Sequence, residues 1–255
     1  MHSSNKIIFI AELIGTFGLV VGATGSIVYD GMLGGIYGIG FIAAGHFVAL
    51  SIAVYAFGKY SMAHFNPAVT IAFFITKHVK AQQLPLYFTA QTIGAFLGSI
   101  FVLFVIGDYA NLGTNAPDIL YPFGAVFGYE VIASIFLMGV IYIVVHFKKL
   151  RMLTGIAIGG IIAIDVLLFG EVSGASMNPI RSLAPAVVSG LIEYPWWRYG
   201  DAILSNEMSY HIGALIVKEV VMNTWLYVIT PFIGMLIVAA IYKALSRRTK
   251  NTSTH

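Results

Sequence analysis

The sequence predicts an all-α membrane protein, with six transmembrane helices and two re-entrant half-helices arranged as an inverted repeat. Three observations predict it. The 255-residue chain is 58% hydrophobic and 10% charged, whereas soluble domains carry roughly 25% charge. Six apolar windows recur along it. Two Asn-Pro dipeptides, Asn66-Pro67 and Asn178-Pro179, sit in matching places of the two halves.

The apolar windows cover 7–28, 35–57, 86–107, 123–145, 152–170 and 224–245. Each is long enough for a hydrocarbon core of ~30 Å. The first holds Glu12 in its interior and is too long for the apolar core of a cleaved leader, so it reads as a span. Three spans plus one half-helix form each copy: repeat one about 7–107, repeat two about 123–245, together a single channel domain over 1–255. Ala11-Glu12-Leu13-Ile14-Gly15-Thr16 returns as Tyr129-Glu130-Val131-Ile132-Ala133-Ser134, and the Asn-Pro turns return at nearly the same spacing. Gln91-Thr92-Ile93-Gly94-Ala95 has a weaker echo in Pro231-Phe232-Ile233-Gly234-Met235. An odd number of spans per copy makes the second copy enter from the opposite face. Such repeats commonly place a permeation site at the midplane, lined by broken helices.

Charge sets the orientation. All lysines and arginines except Arg181, Arg198 and Lys218 fall at one set of span ends, from Lys6 through Lys59, Lys77 and Lys80 to Lys148, Lys149, Arg151 and the 243–250 cluster. Lys/Arg excess marks the cytoplasmic side. Both termini are therefore expected inside, in a multi-pass protein of the cell membrane. The net charge of +3 is spread by topology and gives no nucleic-acid signal. The chain has no cysteine, which excludes disulfides and thiolate ligands. A long outer loop is expected at about 190–223, with Trp196, Trp197, Tyr199 and Tyr210 suited to the membrane interface.

The Asn-Pro segments carry the chemistry. Proline suits the first position of a helix and asparagine the cap before it. Segments 66–75 and 178–188 are too short to span at ~1.5 Å per residue. Entering from opposite faces, they would meet N-terminus to N-terminus, with free N–H groups and half-positive dipole ends repelling cations. The Asn66 and Asn178 amides then either cap the helices, donate to a passing polar molecule, or do both. Arg181 follows Asn178 by one helical turn, and an arginine at membrane depth is a functional candidate, with an ion pair to Glu171 as the structural alternative. His46, taken alone, reads first as a hydrogen-bonded packing residue of its span and second as a pore-facing one. Glu12 and Glu130 need buried partners. Asp165 is read as reaching the outer interface.

In these residues the chain resembles the aquaporins and glycerol facilitators, the major intrinsic protein family. The specific pieces are Ala63-His64-Phe65-Asn66-Pro67-Ala68-Val69-Thr70 and Asn178-Pro179-Ile180-Arg181-Ser182, and the likeness runs over nearly the whole chain. The resemblance implies a pore midplane at Asn66 and Asn178, with motif prolines Pro67 and Pro179. It implies a selectivity filter of His46, Val166, Ala175 and Arg181, and loop support from Glu12 and Glu130. It implies a homotetramer in a lipid bilayer, with no cofactor and no metal. Two positions depart from the family pattern: Met62 and Ile180 replace a glycine and an alanine. Ser182, Ala186 and Tyr227 match the water-channel subset, while Val228 does not. Small Val166 and Ala175 with polar His46 resemble plant vacuolar members, which implies passage of ammonia besides water. A glycerol or small-polyol facilitator is the alternative within the family.

Other classes fare worse. No His-Glu-x-x-His or Gly-x-Ser-x-Gly sequence is present, so the sequence offers no enzyme. A secondary transporter is the serious rival, because inverted repeats and broken helices serve both classes. Gly94 and Gly98 allow close helix contact, within one subunit or between two.

Overall fold

The computed structural model describes residues 4–118, 120–192 and 224–252, with the side chains of 192 and 247–252 excepted. Its helices are α1 (Asn5–Met32), α2 (Gly38–Ser61), α3 (Pro67–Ile75), α4 (Leu84–Val105), α5 (Phe123–His146), α6 (Thr154–Ser173), α7 (Pro179–Ile192) and α8 (Trp225–Thr252). Three 3-10 turns, Ala81–Gln83, Ala110–Gly113 and Lys148–Leu153, join them. Among the described residues, six helical stretches are long and apolar enough to cross a membrane, at the six places the windows mark. Among the described residues there is no strand.

Boundaries shift where local chemistry allows it. α1 runs on to Met32 because the Asp30 carboxylate accepts from the Tyr37 and Gly38 amides, at 2.8 and 3.1 Å, and closes the turn into α2. α7 continues through Ile192. Nothing between Pro185 and Ile192 ends that helix, since the next proline comes at 195. The rest of that loop, with its tryptophans, lies outside the described residues.

Packing follows a two-fold pattern. α1 packs on α2 and α4, as α5 packs on α6 and α8. α3 packs on α8 while α7 packs on α4, so each half-helix is clasped by the other repeat. The two copies are thus interlocked. Gly94 and Gly234 make the matching close approaches. A methyl group at Gly94 would lie 2.4 Å from the Leu13 carbonyl oxygen, and one at Gly234 would lie 2.5 Å from that of Val131. The weak echo between the third and sixth spans is therefore a packing requirement. Gly98 likewise faces Val20. Both Gly94 and Gly98 are spent inside the chain and offer no contact to a second subunit.

Candidate pore

Each half-helix is preceded by a strained loop held by a buried carboxylate. In the first loop Ala63 and Phe65 have φ of 52° and 49°; in the second, Ala175 and Met177 have 43° and 53°. Alternating left-handed residues turn successive amides the same way, and both Glu12 and Glu130 are fully buried behind them. Glu12 accepts from the His64 and Phe65 amides at 2.9 and 2.8 Å, from Ser61 Oγ at 2.6 Å and from Gln91 Nε2 at 2.9 Å. Glu130 accepts from the Ser176 amide at 3.0 Å, the Met177 amide at 3.2 Å and Ser173 Oγ at 2.8 Å.

This arrangement has a consequence for the lumen. In a trans peptide the carbonyl points opposite to the N–H of the next residue. With the amides of 64, 65, 176 and 177 aimed at the two carboxylates, the carbonyls of Ala63, His64, Ala175 and Ser176 are aimed away from them. Ala63, His64 and Ser176 line the central cavity. The carboxylates therefore convert backbone into a row of acceptors. Composition and spacing do not reveal those carbonyls.

The two loops meet at the asparagines. Asn66 Oδ1 accepts from the Ala68 and Val69 amides at 2.8 and 3.4 Å, and Asn178 Oδ1 accepts from Ile180 and Arg181 at 3.2 and 3.4 Å. Each amide nitrogen donates across the junction. Asn66 Nδ2 reaches the Met177 carbonyl at 2.8 Å, and Asn178 Nδ2 reaches the Phe65 carbonyl at 2.9 Å. A carboxamide has two N–H groups, so one on each asparagine remains for the lumen. Capping and donation are thus compatible.

Both asparagines line a cavity of about 30 Å³, together with His46 and Arg181 and an apolar wall that includes Leu50, Val69, Ile141, Ile158 and Ile162. A water needs roughly 10–15 Å³ by this measure, so about two fit. Val166 and Ala175 are buried but do not line this cavity.

His46 and Arg181 face one another. His46 Nδ1 lies 2.8 Å from the Ile42 carbonyl, which can only accept, so Nδ1 carries the proton. Nε2 is then the lone-pair nitrogen, 3.4 Å from Arg181 Nη2, which can only donate. Arg181 Nη1 also donates to Asn115 Oδ1 and, at 3.5 Å, to the Gly113 carbonyl. Its partners are these and His46, not Glu171. Asn115 accepts from Ser182 Oγ at 2.8 Å and donates to the Gly174 carbonyl at 2.8 Å, pinning the loop between the repeats to the second half-helix. Sequence reasoning missed Asn115, which lies in no repeat and no motif. Gln91 carried a legible signal, an amide in the middle of an apolar span.

Three further positions are resolved. Ile180 points away from the lumen and packs on Val20, Ala95 and Ala184, small enough to admit it. Met62 caps α2 with φ of 67°, which explains why glycine suits that place. Asp165 does not reach the outer interface. It is fully buried, about two turns inside the end of α6, and neither carboxyl oxygen has a partner among the described residues.

Comparison with known proteins places this architecture. The family model described as major intrinsic protein matches residues 2–242. Aquaporin NIP1-1 of Zea mays is 33% identical over 259 residues, 96% of this chain and 79% of the relative. Aquaporin NIP3-1 of Arabidopsis thaliana is 33% identical over 250 residues, 95% of this chain and 68% of the relative. The X-ray structure of the aquaglyceroporin from Plasmodium falciparum aligns with a TM-score of 0.73 at 23% identity, covering 94% of this chain and 96% of that one.

Proposed function

The chain belongs to the major intrinsic protein family, and we propose that it is a passive pore for water that also passes ammonia and other small neutral solutes while excluding ions and protons. The observation that carries this reading is the junction of the two half-helices. Two capped N-termini face each other, with one free amide N–H on each asparagine, at a cavity sized for about two waters.

The lining supplies acceptors from the loop carbonyls and donors from Asn66, Asn178 and Arg181. A water crossing the junction exchanges bonds with these groups while its remaining sides face apolar wall. Among the described residues a cation finds no carboxylate at the lumen, because Glu12 and Glu130 are turned to the loops, and it meets two half-positive helix ends and the Arg181 guanidinium. His46, Val166, Ala175 and Arg181 form the filter in this reading. Ser182, Ala186 and Tyr227, which match the water-channel subset, speak against glycerol as the main cargo. The relatives named as NIP aquaporins support a channel of this class.

The protein is multi-pass, and we place it in the cell membrane with both termini in the cytoplasm, on the Lys/Arg asymmetry. We place it as a homotetramer with one pore per subunit, on family membership.

Proteoliposomes test the substrate reading. Water and ammonia entry should both exceed protein-free vesicles, with flux linear in the gradient and glycerol entry slow. Val166→His should lower ammonia entry more than water entry. Ammonia entry equal to that of empty vesicles would overturn the filter assignment. Saturable flux coupled to an ion gradient would instead indicate a transporter.

A further inference from the structure

Away from the pore, at the lysine-rich face, the structure has a cavity of about 940 Å³. It is bounded by the start of α1, the end of α2, the end of α3 and the turn into α4, and Lys59, Lys77 and Lys80 line it together with Gln82, Gln83 and Tyr60. None of its lining residues is acidic. The four stretches that carry the lysine-rich span ends, residues 1–11, 57–87, 142–156 and 242–255, contain no aspartate or glutamate. Among the described residues, the three lysines therefore have no carboxylate lining their cavity.

Helix dipoles account for part of the cluster. Lys59 lies in the last turn of α2 and Lys77 just past the end of α3, where cations are favoured. Lys80 does not fit that account. It precedes the turn Ala81–Gln83 that leads into α4, at a helix start, where a cation is disfavoured. Lys77 adds a second anomaly, because its φ of 64° is a left-handed conformation that normally falls to glycine after a helix. Its amide bonds Phe74, and the next two amides bond the Phe73 carbonyl, so the turn is tightly defined. Burial pushes His78 below its ordinary range, leaving the lysines as the charge carriers at neutral pH.

We propose that this cavity is a binding site for a phosphate-bearing anion at the membrane face. Three lysines lining one cavity, with two glutamine amides and a tyrosine whose ring centre lies 4.7 Å from Lys59 Nζ, match a phosphomonoester, which offers several acceptor oxygens and up to two negative charges. An acidic phospholipid headgroup reaches such a site from the bilayer surface, and a soluble phosphate reaches it from the water. Lysines near an acidic lipid surface contribute about fivefold in affinity each. The floor of the site is Ser61 and Tyr87, whose hydroxyls bond Glu12 and the Ser61 carbonyl at 2.6 and 2.7 Å, so the site abuts the loop that carries Asn66.

The test uses the full chain purified in mild detergent, with bound lipid read by native mass spectrometry after incubation with phosphatidic acid or phosphatidylcholine, and inorganic phosphate binding read by calorimetry. Phosphatidic acid, and not phosphatidylcholine, should be retained, and K59Q/K77Q/K80Q should lose retention by roughly a hundredfold. K59R/K77R/K80R should keep it. K148Q/K149Q, which removes charge from the same face outside the cavity, should retain lipid like the parent. Binding of inorganic phosphate alone, lost in the triple glutamine variant, would assign the site to a soluble anion. Loss of lipid in K148Q/K149Q equal to that in the triple variant, or no binding of either probe by the parent, would overturn the proposal. Circular dichroism confirms that each variant is folded.

Discussion

The two halves of the molecule share a backbone and differ in what fills it. In the first loop His64 is stacked between Phe73 and Tyr87, with ring centroids 4.8 and 4.6 Å away, and its Nδ1 meets Thr70 Oγ1 at 3.1 Å. In the second, Ser176 stands in place of His64 and Ser182 in place of Thr70, and the two hydroxyls bond each other. Val69 occupies in the first half-helix the position that Arg181 occupies in the second. One half is packed with rings and serves as a support. The other gathers Arg181, Asn115 and His46 and is proposed to select. A duplicated backbone thus permits one copy to specialise without disturbing the junction, because both glutamates keep one serine and two loop amides and both asparagines keep the same cap and cross-junction bonds.

Arg181→Val should break this asymmetry most strongly. A unit charge about 8 Å from a permeating cation, at an effective dielectric near 20, is worth roughly 2 kcal/mol. Proton conductance of vesicles should therefore rise about 30-fold, whereas Val69→Ala removes no charge and should leave the leak within about twofold of the parent. A similar rise in both variants would mean that the halves do not differ in the way described.

The carboxylates offer a finer comparison. Glu12 serves four donor groups and Glu130 three. Glu12→Gln should cost about 3–5 kcal/mol of stability, and Glu130→Gln about 1 kcal/mol less. Thermal unfolding in detergent reads the order, and the reverse order would contradict the bond inventory. Asn115→Ala removes the acceptor of both Arg181 and Ser182 and should cost about 1–3 kcal/mol. Glycerol entry should rise with it, since the guanidinium then keeps only the Gly113 carbonyl and His46 as partners. The smallest effect belongs to Met62, where glycine relieves a left-handed residue. Met62→Gly should raise stability by no more than about 1 kcal/mol.

Much of this was legible in the sequence, for a physical reason. A bilayer forces long uninterrupted apolar runs, so the six spans are visible in composition alone. Broken helices need caps, so the Asn-Pro pairs announce the half-helices. The repeat of Glu12 at Glu130 was visible too, because a carboxylate in an apolar span is conspicuous. Other features were invisible because they depend on who faces whom. Asn115 sits in a connecting loop that no periodicity marks. Asp165 looked like an interface residue from its place near a span end, yet helix α6 continues past it and buries it. The inward use of Gly94 and Gly98 required the packing of α1 on α4.

The central claim is that the junction of the half-helices passes neutral molecules and rejects charge. The direct measurement is stopped-flow shrinkage of proteoliposomes carrying an internal pH dye, with potassium current recorded from the same preparation in planar bilayers. The account predicts fast shrinkage with a low activation energy, and proton and potassium fluxes equal to those of protein-free membranes. Shrinkage no faster than in empty vesicles, or a proton or potassium flux that scales with protein density, would contradict it.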